Sequence, residues 1–490
     1  MIRRVLFYGM ASACSRLAAI VLVPLYVSRL SMEELGDLEL LLSIHALMVL
    51  LGGLQSESAI LRYFYEPYQL DRPKGNGWNA ILLSIVGCAT TCGLILLGAF
   101  LGWLPPSMSN RAILFPLLGL VLPTQLLGVQ LVILRCRDSV RHFAFVSISD
   151  LVLGLALSAL FVVSLKMGVE GALLGLLCSK LILVSIAWPW TFGLPSGQCL
   201  RWTALKRMAA YGIPALPAVF VGWVQNAGNR VVLAALLGLD DVALAGVAIK
   251  VSSIFGMLVY SFRLAWEPYA MSSLTASIKD SVRYDREMTW YLACMFVVMG
   301  LAVIVAPVIT LILTTPAYAS AGSLAVLFIA AQFWVGLLSL TSIGIHGASR
   351  TKMLIPVTTG GAIINVGLLL ILAPWIGVFA AGVGFLAGSV FSAVLAAHFS
   401  NRLYGTGFSM QPLAWCFGAT IAFSSGWIYV TDRFQQATQE ISSMLAVAAG
   451  TLFILGCISV VLILFGLPRR HIKDGLSVLR SAFTANRKKV

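Results

Sequence analysis

Acidic residues are scarce in this chain, with 19 Asp and Glu against 33 Lys and Arg in 490 residues, and charged residues of both signs reach only 11%. That excludes an ordinary soluble domain, in which about a quarter of the residues carry charge. Long polar stretches are missing as well: none exceeds roughly 25 residues, too few for a separate folded domain. Histidine is sparse, and His45, His142, His346, His398 and His471 are isolated from one another. No nucleophile–His–Asp set, Walker motif or carboxylate pair occurs, so the expectation is of no enzyme, no metal and no cofactor. Any driving energy then comes from a substrate gradient or from H+ or Na+ coupling. The nine cysteines are scattered; Cys88 and Cys92 share a helix face but have no further partner, so all nine read as packing residues.

What the chain has in abundance is apolar sequence, 59% of the whole. Runs of about 20 apolar residues recur nearly end to end, as an all-α polytopic membrane protein requires. Fourteen spans are predicted, at approximately 5–28, 38–61, 79–103, 112–134, 143–165, 169–190, 211–237, 242–266, 289–313, 321–343, 353–374, 378–399, 413–430 and 441–466. Arg16 interrupts the first run and no small-residue cleavage site follows, so that helix is expected to remain uncleaved. With both termini cytoplasmic, 24 of the 33 cations fall on the inner side, 4 in outer loops and 5 within spans. This asymmetry is the positive-inside pattern. It accounts for the net charge of +14 and makes a nucleic-acid partner unnecessary.

The segments divide into a six-helix lobe at 1–190, a cytoplasmic linker at 191–210, a second six-helix lobe at 211–399, two added helices within 400–466 and a basic tail at 467–490. Leu30-Ser31-Met32-Glu33-Glu34-Leu35 after span one echoes Leu237-Gly238-Leu239-Asp240-Asp241-Val242 after span seven. This suggests parallel pseudo-repeats about an axis normal to the membrane. In the tail, Leu476, Leu479 and Phe483 form an apolar stripe beside Arg480 and Arg487, which suits an interfacial helix on anionic membrane lipids.

Four cations, Arg16, Lys180, Arg230 and Lys250, lie roughly 13 to 20 Å of helix from the nearest span ends, close to the bilayer midplane. Charge at that depth is costly and marks a cavity or pathway. Asp150 is the one acid read at comparable depth, so the interior is net positive and suited to an anion. Span seven carries Gln225, Asn226, Asn229 and Arg230 at i, i+3 and i+4 offsets, a polar stripe that must face protein or water. Lys250 on span eight reaches a similar depth, and the two cations require an anion or water between them. Arg263 and Glu267 form an i, i+4 pair at the far end of that span, a self-satisfied salt bridge with Arg263 as gate candidate. Glu57 is either a coupling-ion residue or the counterion of Arg16. Asp150 and Lys180, on consecutive hairpin spans, are expected to neutralise each other.

Around spans seven and eight the chain carries Tyr211-Gly212-Ile213-Pro214-Ala215-Leu216-Pro217, Asn229-Arg230, Leu237-Gly238, Ala245-Gly246-Val247-Ala248-Ile249-Lys250 and Phe262-Arg263-Leu264-Ala265-Trp266-Glu267-Pro268. In this run of about sixty residues the chain resembles the Wzx-type polysaccharide-unit flippases of the MATE-like flippase superfamily. That family usually has Asp-Arg where this chain has Asn229-Arg230. The resemblance implies a bacterial inner-membrane flippase that moves a polyprenyl-diphosphate-linked oligosaccharide outward by alternating access. Spans one, two, seven and eight, carrying Arg16, Glu57, Arg230 and Lys250, would line its central cavity. Polysaccharide polymerase and chain-length proteins would be its protein partners. The competing readings are a lipid II flippase, a cation or drug antiporter, and a membrane glycosyltransferase. An antiporter for lipophilic cations calls for an acidic midplane, and a glycosyltransferase calls for larger outer loops than the ten or so residues here.

Overall fold

The computed structural model describes residues 20–64, 73–102, 108, 110–193, 202–275 and 281–437. Among these residues the structure is all helix and turn. In chain order the helices are α1 (Met32–Gly52), α2 (Ser56–Tyr63), α3 (Pro73–Phe100), α4 (Arg111–Cys136), α5 (Val140–Ala159), α6 (Gly168–Thr191), α7 (Trp202–Gly212), α8 (Leu216–Trp223) and α9 (Asn229–Leu236). There follow α10 (Leu239–Thr275), α11 (Ser281–Leu313), α12 (Ala319–Thr341), α13 (Ile343–Gly347), α14 (Leu354–Ile376), α15 (Phe379–Tyr404) and α16 (Met410–Ala437). Residues 20–27 are also helical.

Eleven stretches among the described residues are long and apolar enough to cross a membrane, and the chain is a multi-pass membrane protein. Large apolar side chains on the outside, such as Phe100, Ile312 and Trp375, fit a hydrocarbon solvent. Proline stands inside α4, α6, α11 and α14, as membrane helices tolerate when neighbours satisfy the freed carbonyls. The expected span 441–466 and the tail lie outside the described residues, as does most of the expected first span.

Local chemistry moves two expected boundaries. Ser31 and Glu34 form a capping box: Glu34 N–H donates to Ser31 Oγ at 3.1 Å, and Ser31 N–H donates to Glu34 Oε2 at 2.8 Å. Helix α1 therefore begins at Met32, well before the predicted residue 38. It ends at Gly52, and Leu54 and Gln55 turn the chain through left-handed backbone, with φ of 44° and 57°. The expected single span 38–61 is thus two helices, α1 and α2. The expected span 211–237 is also segmented. Its helix opens at Trp202, within the expected linker, and passes through a 3₁₀ turn at Ile213–Ala215 and a π turn at Val224–Gly228.

The chain forms two compact units. The first holds residues up to Lys250 together with 313–315 and 366–381; the second holds 251–312, 316–365 and residues from 382 onward. The segment 211–250, assigned to the second lobe from sequence, falls in the first unit. That unit has a core of Ile60, Ile81, Leu127, Ile133, Phe143, Leu183, Phe192 and Met208. In the second unit Phe333 and Trp334 are wholly buried, and Tyr291 Oη donates to the Phe333 carbonyl at 2.7 Å.

Candidate functional site: a carboxylate shared by two cations

Glu39 lies seven residues inside α1, about 10 Å from its start, and its side chain is 3% exposed. Arg230 on α9 and Lys250 on α10 both reach it. Lys250 Nζ donates to Glu39 Oε1 in a close ion pair, and Arg230 Nη2 stands 3.2 Å from Glu39 Oε2. Arg230 Nη1 also donates to Ser43 Oγ at 3.1 Å, one turn along α1. The Ser43 carbonyl in turn accepts from Trp223 Nε1–H at 3.0 Å. Three separate helices are therefore tied together by one carboxylate and one serine.

The close approach depends on glycine. A Cβ built at Gly246 on α10 would lie 2.6 Å from Glu39 Cγ, and one at Gly36 on α1 would lie 1.9 Å from the Leu239 carbonyl oxygen. With both positions bare, α1 and α10 come near enough for a glutamate of ordinary length to meet Lys250. The group holds two cations and one anion, a net charge of +1. In a medium of low dielectric this attracts further negative charge strongly, and charge-assisted hydrogen bonds to phosphate oxygens are the natural use of a guanidinium and an ammonium placed together.

Glu39, which the sequence reading did not single out, is the acid that meets Arg230 and Lys250, and Glu39 and Asp37 are 2% and 7% exposed. The signal was the sequence Ser31-x-x-Glu34: a capping box there starts the helix at Met32 and carries Glu39 two turns inward. The predicted conflict between Arg230 and Lys250 is thus resolved by an anion from the chain itself. The polar stripe of span seven is crossed by a π turn. The π turn at Val224–Gly228 shifts the helical phase, leaving Asn226 exposed with its amide donating to the Gly222 carbonyl at 2.8 Å. Asn229 is buried at 3% exposure and Gln225 is half-buried. Arg16 lies outside the described residues.

Glu57 stands apart from this group. It lines a cavity of about 420 Å³ with His45, Gln55, Thr124 and Gln125. Gln125 Nε2 donates to Ser56 Oγ at 3.1 Å, and Ser56 is 3.1 Å from Ser84, so Gln125 links the cavity wall to a buried pair of hydroxyls behind it. Arg135 acts on Glu57 electrostatically. Lys180 Nζ lies 2.7 Å from both oxygens of Asp150, which neutralises both groups within the α5–α6 hairpin. In the second unit Arg263 lines a cavity of about 590 Å³ with Trp266, Ser339, Ser342, His346 and Thr358. The Glu267 side chain lies outside the described residues. Among the described residues no cluster of three or more His, Cys, Asp or Glu is placed to hold a metal.

No protein-family model matches the chain, and no curated protein matches it. Solved structures do share its fold. The lipid II flippase MurJ in an inward closed conformation is similar at a TM-score of 0.67 with 13% identity, over 94% of this chain and 98% of that one. An inward-facing MATE-family multidrug-resistance transporter of the MOP superfamily is similar at 0.55 with 16% identity, over 80% and 95%. A MOP-superfamily transporter from Pyrococcus furiosus, described as having a binding pocket of reversed polarity, is similar at 0.52 with 15% identity, over 83% and 96%. At these identities the likeness shows the fold.

Proposed function

We propose that this chain is a flippase for polyprenyl-diphosphate-linked oligosaccharide repeat units, working by alternating access in the bacterial inner membrane with both termini in the cytoplasm. The observation that carries the reading is the sharing of one buried carboxylate by Arg230 and Lys250. A diphosphate offers more oxygens and more charge than Glu39, so it can take over both cations when it arrives. Glu39 then acts as the resident counter-anion that keeps the site compact when empty and competes for the cations when cargo must leave. Only noncovalent exchange is needed, which makes the protein a carrier and not an enzyme. The same logic argues against an antiporter for lipophilic cations, because a net charge of +1 repels them.

The likeness to MurJ supports a second reading, in which the cargo is lipid II; both cargoes present a polyprenyl diphosphate to the same cations. Glu57, in its polar cavity, is the candidate for H+ or Na+ coupling. Polymerase and chain-length proteins would receive the cargo on the outer face.

The test is flipping in vesicles containing the purified protein and a fluorescent polyprenyl-diphosphate oligosaccharide. Arg230→Gln and Lys250→Gln should each abolish flipping while the protein inserts and folds. Full activity in properly inserted R230Q/K250Q removes the diphosphate site. Accumulated lipid-linked oligosaccharide in a deletion strain, analysed for its sugars, separates repeat units from lipid II.

A further inference from the structure

A second cationic group lies at the opposite end of α1 from Ser31, where α2 meets α7. Arg62, in the last turn of α2, places its guanidinium 5.9 Å from the Tyr63 ring centre and 5.5 Å from that of Tyr211. Arg207 on α7 stands 5.1 Å from the other partner of the same pair, Tyr63. The two tyrosine rings pack edge to face with centroids 5.9 Å apart. One turn away Lys206 lies 5.3 Å from the Trp202 ring.

Helix α7 is amphipathic. Met208 is buried in the core of the first unit and Leu205 and Ala209 pack against it, whereas Lys206 and Arg207 are exposed. Trp202 and Tyr211 are 68% and 41% exposed, so the helix keeps large aromatic area on its outer side. Aromatic rings of this kind settle at the headgroup level of a bilayer. A cation held over a ring uses the ring face and leaves its N–H groups directed outward. Among the described residues no carboxylate forms an ion pair with Arg62 or Lys206.

We propose that Arg62, Lys206 and Arg207, mounted on Tyr63, Tyr211 and Trp202, form a binding site for the headgroup of an anionic phospholipid. The cations supply the attraction, and the exposed rings of Trp202 and Tyr211 hold them at headgroup depth. The occupant is a resident membrane lipid, distinct from the transported cargo.

The full chain, purified in a neutral detergent, is titrated with phosphatidylglycerol and separately with phosphatidylcholine, and bound lipids are counted by native mass spectrometry. The variant R62Q/K206Q/R207Q should bind phosphatidylglycerol about a hundredfold more weakly, with phosphatidylcholine unchanged. Tyr63→Leu with Tyr211→Leu, which keeps all three charges, should weaken phosphatidylglycerol by a smaller factor. Wild-type affinity in the triple variant overturns the proposal, and so does an equal loss of both lipids. Displacement of phosphatidylglycerol from the wild type by an equimolar amount of inorganic diphosphate assigns the patch to cargo and also overturns it. Lys250→Gln should bind phosphatidylglycerol as the wild type does, which keeps this result separate from the fate of the diphosphate site.

Discussion

Glu39 and Lys250 are joined by a hydrogen bond across 211 residues of sequence, the longest separation among the ion pairs described. The pair ties the first spanning helix of the described structure to the tenth helix. Because Arg230 shares the same carboxylate, removing Glu39 affects two cations at once. Glu39→Ala should destabilise the protein by about 3 to 5 kcal/mol, the usual cost of leaving a buried charge without its partner, as measured by detergent-phase unfolding. Glu39→Gln keeps the shape and removes the competing charge. It should bind inorganic diphosphate more tightly than wild type and flip cargo more slowly, because release loses its competitor. Weaker diphosphate binding in E39Q refutes the exchange of anions.

Gly246→Ala places a methyl group 2.6 Å from Glu39 Cγ. The expected loss is about 1 to 3 kcal/mol, as for an overpacked core, with a parallel loss of flipping. Gly222→Ala is the control, because a Cβ there meets nothing within 4 Å. Thermal unfolding of the two variants side by side should separate them clearly; equal midpoints contradict the close approach of α1 and α10.

Arg230→Lys should fail in a particular way. Arg230 spends one nitrogen on Glu39 and another on Ser43, and an ammonium at the end of a lysine cannot reproduce that fork. Flipping should fall towards the level of Arg230→Gln, while Ser43→Ala in the wild-type background retains a larger share. Restoration of full activity by Arg230→Lys means that point charge alone suffices.

For Asp150 and Lys180 the expected effect is on stability alone. Asp150→Asn and Lys180→Met should each destabilise the protein, and a double-mutant cycle should give a coupling of about 0.5 to 3 kcal/mol. Flipping per folded molecule should stay near wild type in the double variant. A transport defect at normal stability moves this pair into the cargo path.

Glu57→Gln tests ion coupling directly. If Glu57 carries the driving ion, the variant should flip cargo in vesicles without responding to an imposed H+ or Na+ gradient. Undiminished gradient dependence excludes it, leaving Glu57 as a wall of its polar cavity. Truncation after Arg470 tests the tail, which lies outside the described residues: abundance should fall modestly, with transport per molecule retained.

Hydropathy located the spans well because a lipid-facing helix announces itself by composition over twenty residues. The Asp150–Lys180 pair was legible for a similar reason, since consecutive spans joined by a short turn must be neighbours. Glu39 was not read correctly because an acid near the start of an apolar run looks like a boundary residue. The capping box that pulls it inward is only four residues long. Its partnership with Lys250 depends on tertiary contact between distant helices, and no local pattern encodes that. The phase of span seven was lost at the π turn, since Val224-Gln225-Asn226-Ala227-Gly228 contains nothing that distinguishes it from an ordinary helical run.

That π turn has a consequence for length. A π turn holds one residue more than the α-helical turn it replaces, so the segment Val224–Gly228 carries one residue of slack. Deleting one residue inside it converts the turn to an ordinary one and leaves Trp223 and Arg230 both facing Ser43. Deleting one residue between Arg230 and Leu236 instead rotates everything beyond by about 100°. The helix can therefore shorten by one position at a single place without losing its grip on α1, and homologous chains that differ in length here are expected to place their gap at that turn.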